Sequence, residues 1–295
     1  MLLPICNRTF RFVLSCGHIV ILVTVLLIIQ AFPARSEDNF KSLESRLTTE
    51  GLDTGMVNTL FQKPGVHFEP RTVSLFFIHS EARINYDQFL SPESIQNARE
   101  YIQQHLSDLN AAEQTLGVCK EVITAIILVE TRLGTYLGSS SILNTLASVA
   151  ALRDPDLRQM VWDTIQPDRR PEKAAFEEKA DAKSEWAFQE LKAFLIYTER
   201  EKIDPTSIHG SYAGAMGIPQ FMPSNILKYA MDGNHDGKID LFNHRDAIMS
   251  IANYLKSFGW KPGITPENAF DVVYNYNHSR YYVTTVLKIM ELLKG

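Results

Sequence analysis

Ala125-Ile126-Ile127-Leu128-Val129-Glu130-Thr131-Arg132-Leu133-Gly134 places one carboxylate at the end of five consecutive apolar residues. The segment around it, 118–133, is apolar on more than one face. Val118, Val122, Ile126, Val129 and Leu133 form one stripe, Ile123 and Ile127 another. A helix apolar nearly all round belongs in a core. Glu130 stands seven residues after Ile123 and three after Ile127, so it shares their inward face. Desolvation there is expected to raise its pKa, the property a general acid needs near neutral pH. Gly134 is expected to end the helix and to let a ligand approach the backbone. A Glu so placed is, on this segment alone, more often structural than catalytic.

Working outward, most segments carry helical periodicity. Residues 93–113 place Ile95, Ala98, Ile102, Leu106 and Leu109 at spacings of three and four, with Ser91 as cap and Pro92 in the first turn. Residues 184–199, 246–258 and 280–293 are further helices. Residues 71–78 are the best strand candidate. Residues 153–183 are dense in charge and hold Pro155, Pro167 and Pro171, which predicts short solvated helices and a linker. The expected class is mainly α with a small β element.

The chain has 295 residues with 29 Lys and Arg against 34 Asp and Glu. Three of those basic residues, Arg8, Arg11 and Arg35, lie in residues 1–36, which leaves 26 against 34 in the remainder. Such a balance does not hold nucleic acid or an anionic membrane by charge. Arg8 and Arg11 precede an apolar stretch from Phe12 to Phe32, and Ala34-Arg35-Ser36 offers small residues for cleavage. Residues 1–36 therefore read as an export signal, whose length also suits a retained membrane anchor. Cys16 has too little apolar sequence before it for a lipidation site. Cys119 is the one cysteine beyond that segment, so no intrachain disulfide is available there, and it reads as a small apolar residue.

Three further stretches carry chemistry. Gly210-Ser211-Tyr212-Ala213-Gly214-Ala215-Met216-Gly217-Ile218-Pro219-Gln220-Phe221-Met222-Pro223-Ser224 is a small-residue loop in which Ser211 and Gln220 offer hydrogen bonds and Tyr212 or Phe221 a face for a sugar ring. It reads equally as a tight turn between helices. Directly after it, Asp232, Asn234, Asp236, Gly237 and the Lys238 carbonyl match the first half of an EF-hand calcium loop. Position 12 is Asn243 in place of the usual Glu, and Asp246 is positioned to close a longer loop. An Asp/Asn/Gly turn without metal is the alternative. Finally, Tyr274-Asn275-Tyr276-Asn277-His278-Ser279-Arg280-Tyr281-Tyr282 mixes aromatics and amides, as carbohydrate sites do, or forms a helix entry capped by Ser279. His278 has no metal-spaced partner and no Ser nucleophile.

Together these blocks resemble the membrane-bound lytic murein transglycosylase B family. The likeness rests on Val129-Glu130-Thr131-Arg132-Leu133-Gly134, on the 210–217 loop with Gln220-Phe221-Met222-Pro223-Ser224, on the 232–246 loop, on Ala252-Asn253-Tyr254 with Gly259-Trp260, and on Tyr276-Asn277. It runs over residues 38–293. The resemblance implies a mainly helical, lysozyme-like (α+β) fold with a helical core around a deep glycan groove. It further implies a catalytic domain over 37–295 that includes the EF-hand-like loop 232–246, and a periplasmic location. It assigns the catalytic acid/base to Glu130 and substrate binding to Ser211, Gln220, Tyr254, Tyr276, Asn277 and Tyr282. It also assigns a groove cation near Lys183, although 153–183 diverges from the family. Calcium is expected on Asp232, Asn234, Asp236, the Lys238 carbonyl and Asp246, with no organic cofactor. Peptidoglycan strands are the expected partner, with cell-wall synthesis or turnover proteins beside them, and the chain is expected to be a monomer.

Ordinary glycosidases need two carboxylates. The matched blocks hold no second acid outside the calcium loop, so the expected reaction closes a 1,6-anhydro ring with the substrate's own hydroxyl. A lysozyme-type hydrolase and a non-catalytic, calcium-stabilised glycan-binding protein are the two alternatives.

Overall fold

Pro92, Pro155, Pro223 and Pro266 each open a helix, at the position where a missing N–H costs nothing. Side-chain oxygens then satisfy the orphan amides. Asp53 accepts from Met56 N at 2.7 Å, Ser91 from Ser94 N at 3.2 Å, and Ser279 from Tyr282 N at 3.4 Å. The computed structural model describes residues 39–78 and 85–295. The export segment expected at 1–36 lies outside them. Among the described residues no helix is long and apolar enough to cross a membrane.

The helices are α1 (Lys41–Thr49), α2 (Thr54–Phe61), α3 (Pro70–Ile78), α4 (Pro92–Gln104), α5 (Leu106–Leu116), α6 (Lys120–Thr131) and α7 (Ile142–Ala150). They continue with α8 (Pro155–Thr164), α9 (Lys173–Glu201), α10 (Pro223–Tyr229), α11 (His244–Ser257), α12 (Pro266–Tyr276) and α13 (Arg280–Lys294). The expected mainly α class is what forms. The small β element is a two-residue antiparallel ribbon, β1 (Ser140–Ser141) with β2 (His209–Gly210), in which Ser140 pairs with Gly210.

Residues 39–295 form one unit. At its centre α6 buries every residue from Val122 to Leu128, as a helix apolar on all sides must. α13 lies along α6, and α9 packs on α7 and α10. Glu190 of α9, itself buried, takes Ser224 N at 2.8 Å and Ser224 Oγ at 2.7 Å, which anchors the start of α10.

Four expectations about elements change. Residues 71–78 are helix α3, not strand: Pro70 presets a helical φ at the start, and Val73 N bonds back to Glu69 O at 3.0 Å. The segment 93–113 breaks at His105 into α4 and α5. Residues 173–183 are no linker but the first turns of α9, a 29-residue helix whose Phe176 and Ala180 are buried. Gly134 does not end α6 by itself. Arg132 (φ 49°), Leu133 (φ 62°) and Gly134 (φ 84°) are all left-handed, so the turn out of the helix starts two residues earlier.

Candidate active site

The last turn of α6 presents Glu130, half-buried, where α13 crosses. Tyr282, in the first turn of α13, donates its hydroxyl to Glu130 Oε1 at 2.7 Å. Burial and the Glu130 charge push the Tyr282 phenol well above the usual phenol range, so it stays a proton donor. Tyr276 lies beside it with parallel rings, 6.4 Å between centroids. Burial, then Glu130, raises its pKa as well. Tyr86 meets the Tyr282 ring edge-on at 6.5 Å.

Thr131, fully buried, fixes where α6 stops. Its hydroxyl reaches Ile127 O at 3.3 Å and Ile218 O at 3.2 Å, and accepts from Gly134 N at 3.1 Å. The 216–221 loop is thereby tied to the turn after Glu130. Tyr276 ties the same loop from the other side by donating its hydroxyl to Pro219 O at 2.6 Å. Ile218 N in turn bonds Leu241 O at 2.8 Å, which joins this loop to the 232–246 segment. Thr131 and the Pro219 carbonyl carry no role in the sequence reading. Their partners lie 87 and 57 residues away in the chain, a separation at which periodicity is silent.

Ser211 Oγ accepts from Ala213 N at 3.2 Å and Ala215 N at 3.0 Å, so it shapes its own loop. Gly210 is required there, because a Cβ would collide with the Ala215 carbonyl and the Ile142 side chain. Gln220 is left-handed (φ 49°) and its carboxamide nitrogen donates to Gly217 O at 2.8 Å. Tyr254 is buried, donates to Asn275 O at 2.6 Å, and packs on Tyr276 at 5.0 Å; burial pushes its phenol up to about 12. Asn277 caps α12 and is half-buried. Lys183 stands apart from Glu130's tyrosines. It lines a cleft of about 320 Å³ with Lys179, Trp186, Tyr212 and Met222, its ammonium 4.5 Å from the Trp186 ring centre. Burial, then Lys179, lowers its pKa.

In the 232–246 segment, Asp232 accepts Asp236 N at 3.2 Å and Gly237 N at 2.8 Å. Asp246 is 1% exposed and takes three backbone amides, from Gly233, Asn234 and Asp240. Burial raises its pKa despite them. The donors are hard oxygens on a loop with His235 left-handed (φ 60°), which suits a cation of the calcium type. Among the described residues, no three His, Cys, Asp or Glu side chains meet as a metal-binding group.

This geometry has counterparts. The family described as Transglycosylase SLT domain matches residues 35–268. The chain belongs to that family. Membrane-bound lytic murein transglycosylase B of Escherichia coli (strain K12) is 37% identical over 176 residues, 60% of this chain. The match spans 41% of that relative's length. The crystal structure of soluble lytic transglycosylase SltB1 from Pseudomonas aeruginosa is similar with a TM-score of 0.68 at 25% identity, over 85% of this chain and 97% of that one. The Escherichia coli lytic transglycosylase Slt35 in complex with calcium is similar with a TM-score of 0.68 at 25% identity, over 87% of this chain and 92% of that one. The transglycosylase fold so identified agrees with the helical class expected from the residues.

Proposed function

We propose that this chain is a peptidoglycan lytic transglycosylase that cleaves the β-1,4 bond between N-acetylmuramic acid and N-acetylglucosamine without water. Residues 37–295 are its catalytic domain, exported to the periplasm by residues 1–36. The observation that carries this reading is the Tyr282 hydroxyl on Glu130 Oε1 at 2.7 Å, at the end of a buried helix. The phenol orients the carboxylate while adding no charge of its own, which leaves the acid able to change protonation state.

Glu130 first gives its proton to the glycosidic oxygen, and the bond from that oxygen to the muramyl C1 breaks. The N-acetyl carbonyl oxygen of the same sugar stabilises the cation left at C1. Glu130, now a carboxylate, takes the proton of the muramyl 6-hydroxyl as that oxygen bonds to C1. The attacking oxygen belongs to the reacting sugar, so proximity replaces an activated water. Tyr282 keeps the carboxylate aimed in both protonation states. Ser211, Gln220, Tyr276 and Asn277 hold the sugar beside it, Tyr254 supports Tyr276 from behind, and Lys183 serves a more distant part of the strand.

The acids of the 232–246 segment, which is tied to the Glu130 end of α6 through Ile218 and Thr131, are already engaged. Asp232, Asp236 and Asp246 are engaged with amides of their own loop. With Asn234 and the Lys238 carbonyl they would hold a calcium ion, which supplies no chemistry and fixes the loop. Glycan strands are the partner, with cell-wall synthesis or turnover proteins beside them, and the chain acts as a monomer.

Digestion of purified peptidoglycan in oxygen-18 water tests this. The expected products carry no label and are lighter by one water than their hydrolytic counterparts. Label at a new reducing end favours the lysozyme-type hydrolase instead.

A further inference from the structure

A cavity of about 550 Å³ opens at the end of α6 opposite to Glu130. Cys119, which opens that helix, lines it. Glu130 stands eleven residues further on, about 16 Å along the axis, so the cavity is separate from the candidate active site. The end of α5, the 260–266 loop, the start of α12 and the last turns of α13 wall it round. Four separate stretches of chain make it a hole, not a groove.

The lining is apolar. Trp260, Ala269 and Met290 are buried, with Ile264 and Leu287 half-buried beside them. An apolar cavity of this size with few polar groups has the form of a small-molecule site. Its wall is built in advance. Trp260 N bonds Leu255 O at 3.0 Å, and Gly117 lies so close to the loop that a Cβ there would meet Pro262 Cδ at 2.9 Å.

Charge stands only at the mouth, on Glu113, Lys261, Glu291 and Lys294. Each acid already has its cation, Glu113 with Lys120 at 3.4 Å and Glu291 with Lys294 at 2.8 Å. Among the described residues, Lys261 pairs with no carboxylate. One uncommitted positive charge therefore stands over an apolar hole.

We propose that this cavity binds a single-chain anionic amphiphile, a fatty acid with its tail against Trp260, Ala269 and Met290 and its carboxylate on Lys261. A sugar would leave hydroxyls unmatched against Leu287 and Met290, and a cationic amphiphile would be repelled by Lys261. A fatty acid satisfies both the floor and the mouth.

The test uses the whole chain and dodecanoate brominated at the end of its tail, because bromine quenches tryptophan fluorescence on contact. Residues 1–36 hold no tryptophan, so acid bound to that apolar stretch is silent. Wild type is expected to show saturable quenching, and Trp260→Phe to lose it while Trp162 and Trp186 still emit. The alcohol with the same brominated tail is expected to bind wild type about fivefold more weakly than the acid. Lys261→Gln, a change at an exposed side chain, is expected to bring the acid down to the alcohol. Ala269→Phe fills the floor and is expected to abolish quenching by both. Absence of saturable quenching, quenching that survives Trp260→Phe, or equal binding of acid and alcohol by wild type overturns the proposal. Vesicles of tail-brominated phosphatidylglycerol, which offer the same chemistry on two chains, are expected not to quench. Quenching by the vesicles and not by the free acid overturns the single-chain ligand.

Discussion

Replacing Tyr282 by Phe removes one hydroxyl from Glu130 and leaves the ring against Tyr276 and Tyr86. The expected result is a fall in kcat of roughly ten- to a hundredfold with the fold intact, since a positioned donor is lost and packing is not. Clearing of a peptidoglycan suspension beside a thermal melt measures both. Thr131→Val keeps the shape and strands the Ile218 carbonyl and the Gly134 amide, at a cost of about 1–3 kcal/mol read by urea unfolding. Glu130 itself was legible as an inward-facing acid, because one helix face can be counted from Ile123 and Ile127. That it is half-buried rather than buried was not, because it stands in the last turn of α6, where the chain leaves the helix at the left-handed Arg132. The Tyr282 contact crosses 152 residues, and no local pattern reports a bond of that separation.

At the scale of elements, α11 and α13 were readable because one apolar periodicity runs through each, and α6 because it is apolar on more than one face. α3 was not: Thr-Val-Ser-Leu-Phe-Phe-Ile has strand-like residue types, and tertiary packing with Pro70 at the start overrides that preference. The junction of α4 and α5 was hidden because the apolar spacing continues across His105. That junction has a consequence for pH. His105 stacks on His244 at 4.5 Å, and Tyr101 bonds His244 Nδ1 at 2.8 Å. Asp108, paired with Arg245, is the nearby acid. Burial holds both histidines below the usual 6.5, and for His244 the neighbouring His105 adds to it. A histidine with a depressed folded pKa contributes stability that is present above 6.5 and lost as pH falls through that value toward the folded pKa. The melting temperature is therefore expected to fall between about pH 7 and about pH 5, and His105→Gln to flatten that fall.

Over the whole molecule, the 232–246 loop touches the Glu130 end of α6 through the Leu241–Ile218 bond and the Thr131 clamp. Its oxygen donors were legible in order along the chain. The burial of Asp246 among three amides was not, since it depends on α11 closing over the loop. Calcium is expected to raise the melting temperature by binding the folded state alone, and a chelator to reverse it. Asp232→Asn with Asp236→Asn should abolish that shift, and a wild-type melt indifferent to calcium contradicts the metal reading. The central claim is that Glu130 is the sole acid/base of a ring-closing cleavage, and mass spectrometry of the fragments released from purified peptidoglycan by wild type and by Glu130→Gln tests it most directly. The prediction is 1,6-anhydro fragments from wild type and none from the variant, which still melts like wild type. Reducing-end fragments from wild type, or anhydro fragments persisting with Glu130→Gln, contradict it.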